Sequence, residues 1–302
     1  MTENVIEING LTKDYGEGRG IFDIDLKIAK GEMLGFAGTN GSGKTTTIRN
    51  IMGFLKPTAG SVTVKGMEAW SKSSEIVKFI GYVPGEIAFP DLATGTEFLK
   101  SQAEFLHLSD MSYAEHIIER LQLDPRAPLK RMSKGMKQKT AIVAALMADP
   151  EIIILDEPTT GLDPLMRDAF LDIIRAEHKK GKTIFMSSHM FDELETTCDR
   201  VALIHDGHIA DVAVIADIKN RPEKEYKIEF NDVASYEGFK AAGYKTVRDQ
   251  PQYDQLTVAV GSDRLNALFR DLKRFDVKFI SEVKYNLEKH FKTVLNKEKE
   301  SI

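Results

Sequence analysis

The 302-residue chain holds one cysteine, Cys198, and one tryptophan. A lone cysteine cannot close an internal disulfide, so the sequence fits a reducing compartment. There is no basic excess either: 41 Lys and Arg stand against 46 Asp and Glu, a net charge of −5. That balance argues against a chain-wide footprint for nucleic acid or anionic membrane, and no nucleic-acid partner is expected. Long hydrophobic runs are also lacking. The longest, Ala141 to Ala148, falls well short of the roughly 20 residues a spanning helix needs. Met1-Thr2-Glu3-Asn4 is polar and carries no charged-then-apolar targeting pattern. The expectation is a soluble chain, with any membrane span supplied by another protein. What the sequence does have is bulk: 42% hydrophobic residues over this length can fill one large or two modest cores.

Phe22, Ile24, Leu26 and Ile28 alternate with Asp23, Asp25 and Lys27, the period of a half-buried strand. With Val5–Ile8 and Val62–Val64 they predict a small antiparallel layer. Continuous apolar runs then recur at Met33–Ala37, Ile152–Leu155, Thr183–Met186 and Val201–Ile204, separated in places by helical stretches. Strands buried on both faces of a parallel sheet read this way. Asp163-Pro164 predicts a capped helix whose apolar stripe is Leu165, Ala169, Phe170, Ile173 and Ile174, ended by Gly181. Asp206-Gly207 predicts a hairpin turn. Lys219–Glu225 reads as a polar linker. Beyond it the order is strand Tyr226–Phe230, helix Val233–Ala242, strands Tyr244–Val247 and Gln255–Val260, helix Arg264–Phe275 and strand Val277–Val283. That order fits a small ferredoxin-like α+β unit, followed by a helix bearing Leu287, Phe291, Val294 and Leu295 on one face.

Gly38-Thr39-Asn40-Gly41-Ser42-Gly43-Lys44-Thr45 matches G-x-x-x-x-G-K-[ST] between the strand Met33–Ala37 and a helix bearing Ile48, Ile51 and Met52. Glycines let backbone N–H groups turn inward around an anion, and the helix N-terminus adds positive partial charge. Lys44 is expected to bridge β- and γ-phosphates, Thr45 to bind Mg²⁺ through its hydroxyl, and Thr46 to join the nucleotide contacts. The strand Ile152–Leu155 ends in Asp156-Glu157, two carboxylates at the edge where parallel sheets bind ligands. Asp156 is expected to hold Mg²⁺, and Glu157 to polarise a water attacking the terminal phosphate. Ser133 begins a helix that runs to about Ala148; its N-terminus is either a plain capped end or a second anion-facing group.

Taken in order, the phosphate loop, Ser133-Lys134-Gly135-Met136-Lys137-Gln138, Asp156-Glu157, Gly161-Leu162-Asp163 and Ser187-Ser188-His189 are highly specific. Over about its first 215 residues the sequence resembles the ATP-binding subunit of ABC transporters, and looks most like the ABC-2 class of bacterial exporters. The resemblance implies a P-loop NTPase cassette over residues 1–215: an α/β fold with a mostly parallel central sheet, a small antiparallel β layer and a helical subdomain at about 87–150. Residues 216–302 are then an accessory α+β module. It implies that ATP and Mg²⁺ are bound, that Ser133 and Gly135 touch the γ-phosphate held by a second nucleotide-binding subunit, identical or related, and that Asp163 also acts across that dimer. His189 becomes a γ-phosphate contact acting with Glu157 in hydrolysis, and Tyr15 the aromatic that stacks on adenine. The segment Ile87–Lys130, with Phe89, Leu92, Phe98, Leu99, Phe105 and Leu106, becomes a groove for a cytoplasmic helix of a polytopic membrane permease. The chain would then sit at the cytoplasmic face of the membrane as the motor for export of a drug, peptide or other amphiphile.

One position departs from the family. Gly85 stands in the slot of a glutamine that senses Mg²⁺, and the adjacent Glu86 is expected to supply an oxygen to the metal in its place. A member acting in translation or DNA maintenance is the competing reading; two cassettes per chain or long coiled-coil insertions would mark it, and neither occurs. A regulator that binds ATP without cleaving it is a third, opposed by Glu157 and His189.

Overall fold

The computed structural model describes residues 3–300, and side chains through residue 296; Met1 and Thr2 lie outside. The described residues fall into two compact units divided between Val214 and Ile215. No helix among them is long and apolar enough to cross a membrane.

The first unit opens with the hairpin β1 (Asn4–Asp14) and β2 (Gly20–Ala29), then β3 (Met33–Ala37), α1 (Lys44–Ile51), β4 (Ala59–Val64) and β5 (Met67–Glu68). β1, β2, β4 and β5 form an antiparallel sheet in the order β2-β1-β4-β5. Next come α2 (Ser73–Ile76), β6 (Ile80–Val83) and a helical segment of α3 (Gly95–Phe105), α4 (Ser112–Arg120) and α5 (Lys134–Leu146). The chain then returns through β7 (Ile152–Asp156), α6 (Pro164–Lys179), β8 (Thr183–Ser188), α7 (Phe191–Thr197), β9 (Arg200–His205) and β10 (His208–Val214). A six-stranded sheet runs β10-β9-β3-β8-β7-β6, with β10 antiparallel to β9 and the remaining pairs parallel. Every residue of β3, β7 and β8 is buried, as their uninterrupted apolar runs predict. Asp206 and Gly207 take left-handed φ of 46° and 80° and join β9 to β10 as a tight turn.

Two phases differ from the sequence expectation. The alternation predicts Phe22 on the buried face of β2, but Ile21 is buried while Phe22 is half-buried and stacks on His208. One extra residue between the pairs Leu11–Ile24 and Lys13–Ile21, with Asp23 at φ 50°, makes a bulge that shifts the alternation. On α6, Asp163 caps as expected, accepting from the Met166 N–H at 3.0 Å. There Met166 is buried and Leu165 is 66% exposed, because the Pro164 start sets the helical phase one residue later.

A buried polar cluster ties the helical segment to the sheet. Tyr113 of α4 donates its hydroxyl to Glu177 of α6, Lys180 lies 2.7 Å from the same oxygen, and Lys182 pairs with both Glu177 and Asp149. Glu177 is 1% exposed. Burial pushes its carboxyl up, but the bonds from Lys180, Lys182 and Tyr113 outweigh burial and hold it below the ordinary value. Since folding lowers this pKa, the contribution is present at neutral pH and fades as pH falls through the lowered folded value. Glu177→Ala leaves the buried Lys182 with Asp149 as its remaining carboxylate and Tyr113 without its acceptor, and is expected to destabilise the protein by about 3 kcal/mol. Lys180→Ala, at a half-exposed partner, is expected to cost under about 1 kcal/mol. Urea unfolding of the two variants checks this, and equal losses would refute the assignment.

The second unit comprises α8 (Ile215–Lys219), β11 (Glu223–Phe230), α9 (Val233–Lys240), β12 (Lys245–Gln250), β13 (Gln255–Gly261), α10 (Leu265–Leu272), β14 (Val277–Val283) and α11 (Leu287–Glu300). Its sheet, β12-β13-β11-β14, is antiparallel throughout and has the strand order of a ferredoxin-like unit. The linker is shorter than its composition predicts. Lys219 closes α8, and Glu223–Glu225 pair with Ala259–Gly261, so only residues 220–222 lie between elements. Tyr226, Ile228, Phe230, Tyr236, Phe239 and Leu268 are among its core.

Candidate active site

The loop between β3 and α1 is shaped by what its glycines permit. Gly43 sits at φ 112°, and a Cβ there would lie 2.4 Å from Ile21 Cγ2, so no other residue fits without displacing the β layer. The first N–H groups of α1 then have no acceptor within the helix and are free for an anion. Lys44 is buried, its Nζ donating to the carbonyls of Gly38 at 2.7 Å and Thr39 at 3.0 Å. The ammonium is thereby fastened over the loop.

β7 delivers the two carboxylates beside it. Asp156 is fully buried; Thr45 Oγ1 donates to its Oδ2 at 2.8 Å and Ser187 Oγ to its Oδ1 at 2.7 Å. Ser187 also accepts from the Glu157 N–H at 3.0 Å. Glu157 takes a left-handed φ of 48°, uncommon for a residue with a long side chain and frequent where a site holds its geometry against local preference. Its Oε1 lies 3.1 Å from Lys44 Nζ and its Oε2 2.9 Å from His189 Nδ1. Burial pushes the Glu157 carboxyl up, but Lys44, and after it His189, draw it below the ordinary carboxylate range. Glu157 is therefore ionised at neutral pH and able to accept a hydrogen bond from water.

A cleft of about 710 Å³ opens over this group, lined by Asn40, Gly41, Gly43, Lys44, Thr45, Thr46 and Glu157 at one end and by Tyr15, Arg19 and Asp206 at the other. The structure thus gathers Tyr15, the phosphate loop from Gly38 through Thr46, Ser42 included, and Asp156, Glu157 and His189. Tyr15 is half exposed. Ser133, Gly135 and Asp163 are not among the residues lining the cleft. Ser133 is exposed and caps α5, accepting from the Met136 N–H at 3.2 Å, and Asp163 caps α6.

At Gly85 an added Cβ would lie 3.1 Å from Asp156 Oδ2, so this slot faces the carboxylate closely and a larger residue there would press on it. The adjacent Glu86 is exposed, makes no hydrogen bond or ion pair among the described residues, and is not among the residues lining the cleft. Sequence reasoning missed Ser187, whose hydroxyl bridges Asp156 and Glu157. The signal lies in the register Asp156–Ser187, which exists only once β7 and β8 are known to be neighbours.

Residues 21–160 match the family model described as ABC transporter. A bacitracin transport ATP-binding protein of Bacillus licheniformis is 33% identical over 231 residues, 76% of this chain and 76% of its own. A linearmycin resistance ATP-binding protein of Bacillus subtilis (strain 168) is 32% identical, covering 72% of this chain and 71% of its own. Among solved structures, an ATP-binding subunit of an ABC transporter superposes with a TM-score of 0.65 at 29% identity, covering 72% of this chain and 92% of that one.

Proposed function

The chain belongs to the ATP-binding subunits of ABC transporters, and from that membership we propose how its residues bind and hydrolyse ATP and what the cycle drives. The reaction is cleavage of ATP to ADP and phosphate, coupled to transport. The observation that carries the assignment of roles is the placement of Glu157 between Lys44 and His189 at the edge of the phosphate loop. Lys44 and the loop N–H groups bind the triphosphate, Tyr15 supports the base, and Glu157 orients and polarises the attacking water while His189 holds the carboxylate and reaches the terminal phosphate.

Thr45 and Asp156 offer adjacent hard oxygen donors beside the loop, the ligand type Mg²⁺ takes. No group of three or more His, Cys, Asp or Glu side chains that could hold a metal ion occurs among the described residues, so these two would share the ion with phosphate and water oxygens. Bound there, the ion would neutralise charge on the β- and γ-phosphates.

Ser133 and Gly135 lie at the N-terminus of α5, outside the cleft, which supports a second copy or relative presenting that helix end to the triphosphate. Two ATP molecules are then held between facing subunits. Beside α3 runs an apolar groove of about 310 Å³ lined by Phe54, Tyr82, Phe89, Phe98, Phe105 and Leu106, with Phe105 76% exposed. It fits a short amphipathic helix of a polytopic permease, and this supports a location on the cytoplasmic face of the membrane. The relatives named for bacitracin transport and linearmycin resistance support export of an amphiphile.

The test is capture of the chain from solubilised membranes. A multi-spanning protein is expected to co-purify and to be lost in Phe105→Glu, while ATP hydrolysis by the isolated chain stays unchanged. Capture of ribosomes or DNA in its place would overturn the transport assignment.

A further inference from the structure

One buried carboxylate has no part in the scheme above. Glu193, on α7, is 3% exposed and sits inside the wall of the active site. Its Oε2 accepts from Thr159 Oγ1 at 3.1 Å and from Ser188 Oγ at 3.0 Å. Thr159 lies two residues after Glu157, and Ser188 immediately precedes His189. Ser188 Oγ in turn accepts from the Met190 N–H at 2.9 Å, so the peptide on the far side of His189 is tied to the same point. The other oxygen, Oε1, faces Arg167 Nε across 3.9 Å, and both atoms are buried without a hydrogen bond. Arg167 stands one helical turn after Asp163 on α6.

We infer that Glu193 is a positioning residue for hydrolysis: it fixes the segments that carry Glu157 and His189 relative to each other and joins them, through Arg167, to the helix that Asp163 caps. The argument is one of geometry. Glu157 and His189 come from different strands and meet at 2.9 Å. Neither strand's own ladder sets that distance, since both side chains lie past the last paired residues. The Thr159–Glu193–Ser188 bridge spans the gap just behind them. A buried carboxylate with only two hydroxyl partners and a long ion pair is an expensive way to fill a core, whereas an apolar residue of like size would pack as well and hold nothing. A displacement of about 1 Å at a reacting pair is worth up to about 100-fold in rate, so the bridge acts on turnover and leaves ATP binding to the phosphate loop.

This inference rests on the roles given to Glu157 and His189, and a double-mutant cycle separates the two. Glu193→Leu, which keeps the volume and removes the acceptor of both hydroxyls, is expected to lower kcat by about 10- to 100-fold, with the KM for ATP and the thermal midpoint close to those of the parent. In a His189→Ala background the same change is expected to alter the remaining rate by less than about twofold, because the geometry it protects is already gone. Additive effects, or a rate loss that tracks loss of folded protein, overturn the inference alone. Full hydrolysis by His189→Ala overturns the site assignment and this inference with it. Should Glu193→Leu fail to fold, Thr159→Val and Ser188→Ala each remove one hydroxyl of the bridge. A fall in kcat at constant KM is expected for both, and an unchanged kcat in both refutes the proposal.

Discussion

Replacing Lys44 with alanine is expected to weaken ATP binding by at least about 100-fold, equivalent to roughly 3 kcal/mol, and to remove turnover at ordinary ATP concentrations. The ammonium is buried, held by two loop carbonyls and by Glu157, and it is the cation that the loop wraps. Truncation leaves those carbonyls without a donor and takes away the charge that meets the β- and γ-phosphates. Glu157 loses the partner that does most to lower its pKa, so burial regains weight and that pKa rises. In the parent, the lowered folded pKa means that Glu157 adds stability at neutral pH which disappears as pH falls through that lowered value. In Lys44→Ala the folded value moves back toward the ordinary one, so the part of the stability that Glu157 loses on acidification shrinks. Equilibrium binding of a fluorescent ATP analogue reads the first effect, and thermal midpoints across the acid range read the second. Retained affinity would show that the loop does not hold the triphosphate.

What the sequence made legible shares one property: it is encoded within a few residues. β3 and β7 are apolar at every position but their glycine or terminal acid, and strands buried on both faces need no partner to be recognised. The phosphate loop is read from spacing, and Asp156 and Glu157 from their place directly after a buried strand. What escaped depends on pairing across the chain. The bulge at Asp23 arises from how β2 meets β1, and local alternation carries no trace of it. The bridge formed by Ser187 needs β8 beside β7, and the burial of Glu193 needs Thr159 and Ser188 on either side, the first 34 residues away. The strands Glu223–Phe230 and Lys245–Gln250 were foreshortened or shifted at charged ends, because charged residues extend a strand wherever a partner's backbone is available to pair. The cross-subunit contacts expected of Ser133, Gly135 and Asp163 come from family resemblance alone, and a single chain leaves all three outside the cleft.

Glu157→Gln separates binding from chemistry. The amide keeps the shape of the side chain and its contacts with Lys44 and His189, but it is no longer a base and carries no charge. Hydrolysis is expected to fall by about 100-fold or more, the scale of positioned general-base catalysis. ATP affinity is expected to hold or to increase, because the carboxylate repels the γ-phosphate and competes with it for Lys44. With turnover blocked, Mg·ATP is retained, and the linked association of two subunits should be retained with it, since a ligand that binds the pair more tightly than the single chain shifts the equilibrium toward the pair. Phosphate release in the steady state and light scattering with and without Mg·ATP give the two readouts. Undiminished hydrolysis would remove Glu157 from its role. A particle that stays monomeric with ATP bound would leave Ser133 and Gly135 without a phosphate to meet, and the two-subunit arrangement would have to be abandoned even though the cleft itself binds nucleotide.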